Sequence, residues 1–208
     1  MLEYRGGQTA APGLETVSYT VEERDCRVFA LEATAELKNT EYPEYQAELA
    51  LRIGGLDPEF VSALLARGRA LLNDPVQTAL KVSRTGRSSR GEPLPELSET
   101  TASSAAWEAA LVQLFPGMER LRLRIIEDYE TELLKHLPIR NSNGDTVTDP
   151  FDLDIGPLYY ILKSSGGRFK KEDVLTISLC RSVRNLLAHN HIVPFESVKQ
   201  LVALFPEK

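Results

Sequence analysis

Apolar residues recur at steps of three and four along most of this chain, the spacing of a helix that buries one face. The first such run begins near Val21, with Val28, Leu31 and Ala35 as its expected packed face. The stretch N-T-E-Y-P at Asn39–Pro43 breaks it. A second run, Glu44–Ile53, fits a helix or a strand, and Gly54-Gly55 stops it. Asp57-Pro58 reads as an N-cap followed by proline at the first helical position. Phe60, Leu64, Leu65, Leu71 and Leu72 then form an apolar stripe that ends at Asn73-Asp74-Pro75. Residues 1–15, rich in glycine, alanine and proline, read as a loose tail.

Residues 83–104 are nearly free of large apolar side chains. Such a segment buries too little to offset its ordering entropy, so it reads as a flexible linker or loop. It divides the chain into an N-terminal, mostly helical region, residues 1–82, and a helical domain, residues 105–208. Lys81, Arg84, Arg87 and Arg90 give the linker a basic start with no acid among them. That run is either a solvated loop or an arm that touches a phosphate backbone.

The helical pattern is strongest after Ala105. Trp107, Leu111, Leu114 and Phe115 lead to Pro116-Gly117, where a break or kink is expected. Met118, Leu121, Ile125, Tyr129 and Leu133 continue at helical steps, and 141–156 is a turn-rich connection. Pro157–Lys163 reads as a short helix, Ser164–Gly167 as a loop and Glu172–His189 as a long helix. Pro194–Phe205 is the last helix, with Val198, Leu201, Val202 and Phe205 inward.

The segment richest in chemistry is R-S-V-R-N-L-L-A-H-N-H, Arg181–His191. At about 100° per residue, Leu179, Val183, Leu186 and Leu187 fall on one side of that helix as its buried face. Arg184 lies roughly 100° to one flank and His189 roughly 120° to the other. Arg181, Asn185 and His189 form a polar line at i, i+4, i+8. Taken singly, these residues have plain structural readings. His189 and His191 suit a helix C-terminus, where a cation meets the negative end of the dipole, and Arg184 suits a surface ion pair. Taken together, an imidazole and a guanidinium are the parts of an acid/base site acting on phosphate. Imidazole exchanges protons near neutral pH, and guanidinium offers a planar fork that never loses its charge.

Arg184-Asn185-Leu186-Leu187-Ala188-His189 resembles the R-N-x-x-x-H signature of the HEPN superfamily. The resemblance covers Trp107–Lys208, and a short final helix follows the motif as it does in that family. It implies an all-α fold with a C-terminal HEPN-like bundle beside the helical N-terminal region. It also implies an endoribonuclease, a toxin or defence effector, that cuts RNA without a metal or other cofactor. In such enzymes the ribose 2′-OH attacks the adjacent phosphate and leaves a 2′,3′-cyclic phosphate. Two motifs face each other across a homodimer. By that likeness His189 is the acid/base residue and Arg184 the phosphate stabiliser, while Asn185 orients the histidine or bonds phosphate. The alternative is a non-catalytic HEPN binding or assembly module that dimerises or pairs with a regulatory protein. In it Ser164–Lys171 holds a phosphate or nucleotide without cutting.

Charge bears on this choice. The whole chain carries a formal net charge of −6, so RNA must meet a local patch. Lys163–His191 holds six lysines and arginines against Glu172 and Asp173. Lys170, Lys171, Arg181 and His191 are therefore the expected RNA contacts beside the motif. His136 reads as structural. The two cysteines, Cys26 and Cys180, form no C-x-x-C pair, and three histidines offer no zinc pattern, so no metal site is expected. No signal peptide or membrane-length apolar run occurs, which points to a cytoplasmic protein with no membrane partner. A regulatory protein or ligand is expected to act through the N-terminal region.

Overall fold

In the computed structural model, residues 22–36, 41–141 and 144–205 are described. The expected tail lies outside them. The first half of the chain supplies five helices: α1 (Glu23–Glu36), α2 (Pro43–Gly54), α3 (Pro58–Leu65), α4 (Arg69–Asn73) and α5 (Pro75–Thr85). Their starts follow from local chemistry. Proline opens α2, α3 and α5, and the Asp57 and Asp74 carboxylates accept the Phe60 and Gln77 backbone N–H groups. Gly55, at φ 61°, takes the left-handed turn that stops α2.

The face that α1 buries is not the one its large apolar residues mark. Cys26, Ala30 and Thr34 are buried, whereas Val28 and Leu31 are exposed, with Ala35. Small residues let α1 approach α2 closely, and Arg27 reaches across to Glu48 at 2.8 Å. The Glu48 carboxylate, almost fully buried, also accepts from Arg52 Nε at 2.8 Å. A carboxylate out of water needs such paired cations, so this ion group fixes where α1 sits.

The spine is α6 (Glu99–Leu134), 36 residues long, capped by Ser98. It passes through Pro116 without the expected break. The one departure from helical geometry is Tyr129, at φ −126° and ψ 18°. There the phenol donates to Asp173 at 2.7 Å and accepts the Lys170 backbone N–H at 3.2 Å. Gly117 leaves room for Phe205: a Cβ there would run into the ring, which would have to move.

Segment 83–104, expected as a linker, is built into helices and core. It comprises the end of α5, a loop and the first turns of α6. Leu94 is buried, Ser83 Oγ donates to the Pro95 carbonyl at 2.6 Å, and Ser89 bonds Glu59. One apolar cluster runs from Ala30 to Leu201, and α6 packs against α2 and α5 as well as the later helices. The core thus has no seam at the expected boundary.

After α6 come β1 (Ile139–Arg140) and β2 (Thr146–Val147), a two-stranded antiparallel hairpin, and a single 3₁₀ turn, Pro150–Asp152. Then follow α7 (Ile155–Ser164), α8 (Lys171–Ala188) and α9 (Phe195–Val202). Among the described residues the fold is all-α apart from that hairpin, and no helix is long and apolar enough to cross a membrane. Both cysteines are buried and unbonded. His136 is tied to Ser165 Oγ at 3.2 Å, joining the end of α6 to the loop before α8.

Candidate functional site

Helix α8 presents the motif because both of its ends are pinned to α6. The two run antiparallel. Near the start of α8, Asp173 meets Tyr129 and Arg124. At its end, Trp107 Nε1 donates to the Leu187 carbonyl at 2.8 Å. Thr176, Ile177, Cys180, Val183 and Leu187 are buried between these clamps. Burial pushes the Cys180 thiol up to about 12, as an apolar core does.

The last turn of α8 closes by a Schellman motif. His189 is the C-cap, and Asn190 takes φ 55°, the left-handed conformation that asparagine tolerates better than most residues. The Asn190 N–H bonds the Leu187 carbonyl at 3.2 Å, and the His191 N–H bonds the Leu186 carbonyl at 2.9 Å. This turn sets both imidazoles side by side, with ring centroids 6.2 Å apart.

Arg184, Asn185, His189 and His191 are all exposed. Among the described residues none of these side chains makes a hydrogen bond or ion pair, so Arg184 has no ion-pair partner and Asn185 does not bond His189. Within one chain Arg184 and His189 diverge by about 140° around the helix, at 100° per residue. On that rotation they point to different sides of α8 rather than at a single phosphate.

Arg181 is half-buried and has a fixed place. Its guanidinium lies 5.0 Å from the ring centroids of both Tyr159 and Tyr160, and its Nη2 donates to the Tyr160 hydroxyl at 3.1 Å. Lys163 Nζ sits 5.5 Å from the Tyr159 centroid. A hydrogen bond from Lys163 draws the Tyr159 phenol below its ordinary value. The tyrosine pair was missed in the sequence. The available signal was adjacency, since neighbouring helical residues point about 100° apart, and a short packed helix cannot bury both.

Lys170 and Lys171 stand apart from the motif. They are exposed at the opposite end of α8 from His189, a separation of about 27 Å at 1.5 Å per residue. Sequence proximity of charge therefore overstated the patch: of the basic residues in Lys163–His191, Arg181 and Arg184 lie on the motif's half of α8, with Lys163 on α7 beside Tyr159. On the other side of the α8 terminus an open groove of about 610 Å³ lies between Asn190 and the first turns of α6. Trp107, Glu99 and Glu108 line it. Among the described residues, no three His, Cys, Asp or Glu side chains gather where they would hold a metal ion. A scan against protein-family models, a search of curated proteins and a search of solved structures each found no match for this chain.

Proposed function

We propose that this chain is a HEPN-type endoribonuclease that works as a dimer, with Arg184 and His189 as its working pair. The reading is carried by one observation: the Arg184, Asn185 and His189 side chains are exposed and make no hydrogen bond or ion pair among the described residues, on a helix end braced by Trp107 and the Asn190 turn. The backbone that carries them is held in place and no ion pair or hydrogen bond among the described residues uses their side-chain polar atoms, which leaves these groups available to a phosphate substrate. His189 takes the 2′-OH proton as the 2′ oxygen bonds phosphorus and the P–O5′ bond breaks. The departing 5′ oxygen receives a proton from a second imidazole. Arg184 bonds the phosphoryl oxygens, where charge gathers in the transition state. The defining test is cleavage of labelled RNA by the wild-type chain and His189→Ala. Products ending in 2′,3′-cyclic phosphate support the reading, and intact RNA with the wild-type protein removes it.

The 140° divergence within one chain is the reason for the dimer. A facing protomer supplies the second half of the site. Light scattering across a concentration series should show a two-chain species at tens of micromolar, about the range where a standard interface of roughly 1,600 Å² persists. A strictly monomeric, active protein would rule out the composite site.

The distance to Lys170 and Lys171 gives a length-dependent expectation. About 27 Å corresponds to roughly eight stacked nucleotides at ~3.4 Å each. Lys170→Glu with Lys171→Glu should leave binding of a trinucleotide unchanged. The same change should weaken binding of an RNA of about 20 nucleotides and flatten its salt dependence by roughly 0.7 per lost phosphate contact. Equal affinity and equal salt slope on the long RNA would take these lysines out of the interface.

A further inference from the structure

We propose that Tyr160, seated on Arg181, is a stacking platform for one unpaired base of the RNA, set beside the Arg181–Asn185–His189 line of α8. This deepens the nuclease reading and rests on it. Tyr160 is 58% exposed, an unusual state for a ring on a packed helix. Its order does not depend on a partner chain: the Arg181 guanidinium holds the hydroxyl at 3.1 Å, and Tyr159 meets the ring edge-on at 5.6 Å. A base that settles on such a ring finds it already ordered, and the adjacent guanidinium adds a cation to the stack.

Charge selects the kind of partner. Lys163 and Arg181 flank the tyrosines, and Arg184 lies one turn beyond. Across the α8 terminus, the groove carries Glu99 and Glu108. A polyanion is therefore drawn towards the α7 side and away from the first turns of α6. From Arg181 to His189 the axial rise is about 12 Å, or roughly three to four stacked nucleotides at ~3.4 Å each. The line Arg181–Asn185–His189 thus joins the platform to the imidazole. A paired base has its face covered by its neighbours, so only an unpaired one can use the ring.

The test measures fluorescence anisotropy of a labelled, unstructured RNA of about 12 nucleotides, within the usual range of single-strand sites. His189→Ala serves as the parent so that RNA is not consumed. Adding Tyr160→Ala should weaken binding about 5- to 150-fold, the range expected for loss of one base–aromatic stack. Tyr160→Phe, which keeps the ring, should retain most of the affinity. The salt slope should not change, because a neutral ring displaces no counterions. Annealing the RNA to its complement should abolish the difference between parent and Tyr160→Ala. Equal binding by parent and Tyr160→Ala, a loss with Tyr160→Phe as large as with alanine, or no RNA binding at all overturns the platform. Cleavage by the wild-type chain is scored in parallel. RNA cut by a protein indifferent to Tyr160 removes the platform and leaves the nuclease. RNA bound through Tyr160 but never cut removes the nuclease and leaves the platform.

Discussion

Replacing His189 with alanine should lower RNA cleavage by about 10²–10⁴-fold, the usual contribution of a positioned acid/base group. Arg184→Ala should do the same through loss of charge stabilisation. Arg184→Lys should recover little, since a point charge cannot reproduce the planar fork. Both side chains are exposed outside the core and make no hydrogen bond or ion pair among the described residues. Thermal unfolding should therefore move by no more than about 0.5 kcal/mol for either change, as for ordinary surface substitutions. That separation of activity from stability is what the exposed, unpartnered state of the pair requires. Activity should survive EDTA if proton transfer and guanidinium do the work assigned to them. Wild-type rates from His189→Ala, measured as initial rates on labelled RNA, would refute the mechanism.

The helices were legible because their burial is periodic. Asp57-Pro58 predicted the start of α3 and Gly54-Gly55 the end of α2, both from residues whose own backbone chemistry decides the turn. What escaped the pattern depended on partners distant in sequence. The buried face of α1 is Cys26, Ala30 and Thr34 because Arg27 must reach Glu48, and nothing within α1 records that. Pro116 looked like a break, yet a proline can ride within a long helix whose neighbours hold it. Tyr129 distorts instead, where two hydrogen bonds bind it to the start of α8.

The segment 83–104 failed as a linker for a related reason. Its only large apolar residues, Leu94 and Leu97, looked negligible by composition. Leu94 is nonetheless buried against Gly86, where a Cβ would collide with it. Exposure of Arg184 and His189 followed correctly from helical rotation alone. Placement of Lys170 and Lys171 did not, because counting charge along the sequence ignores that an 18-residue helix separates its ends. The turn at Asn190 and the tie from Trp107 were invisible. One needs the left-handed conformation, and the other joins residues eighty positions apart.

That tie leads to the second large effect. The Leu187 carbonyl accepts from Trp107 Nε1 at 2.8 Å and also from the Asn190 N–H at 3.2 Å, so the indole braces the turn that carries both imidazoles. Trp107→Phe keeps most of the apolar surface and removes the donor. One lost hydrogen bond costs about 1 kcal/mol. Trp107→Ala also loses packing. A fully buried tryptophan loses roughly 3–5 kcal/mol on such truncation, and Trp107 is only half-buried, so about 2–3 kcal/mol is expected. The catalytic loss should be out of proportion to the stability loss. A displacement of reacting groups by about 1 Å can cost up to ~10²-fold, so Trp107→Phe should lower kcat by about tenfold while KM holds. The imidazole NMR signals of His189 and His191 should shift in the same variant, since the turn that orients them relaxes. A protein that loses the expected 1 kcal/mol yet keeps wild-type kcat and unshifted imidazole signals would show that Trp107 only packs, and that the turn holds itself.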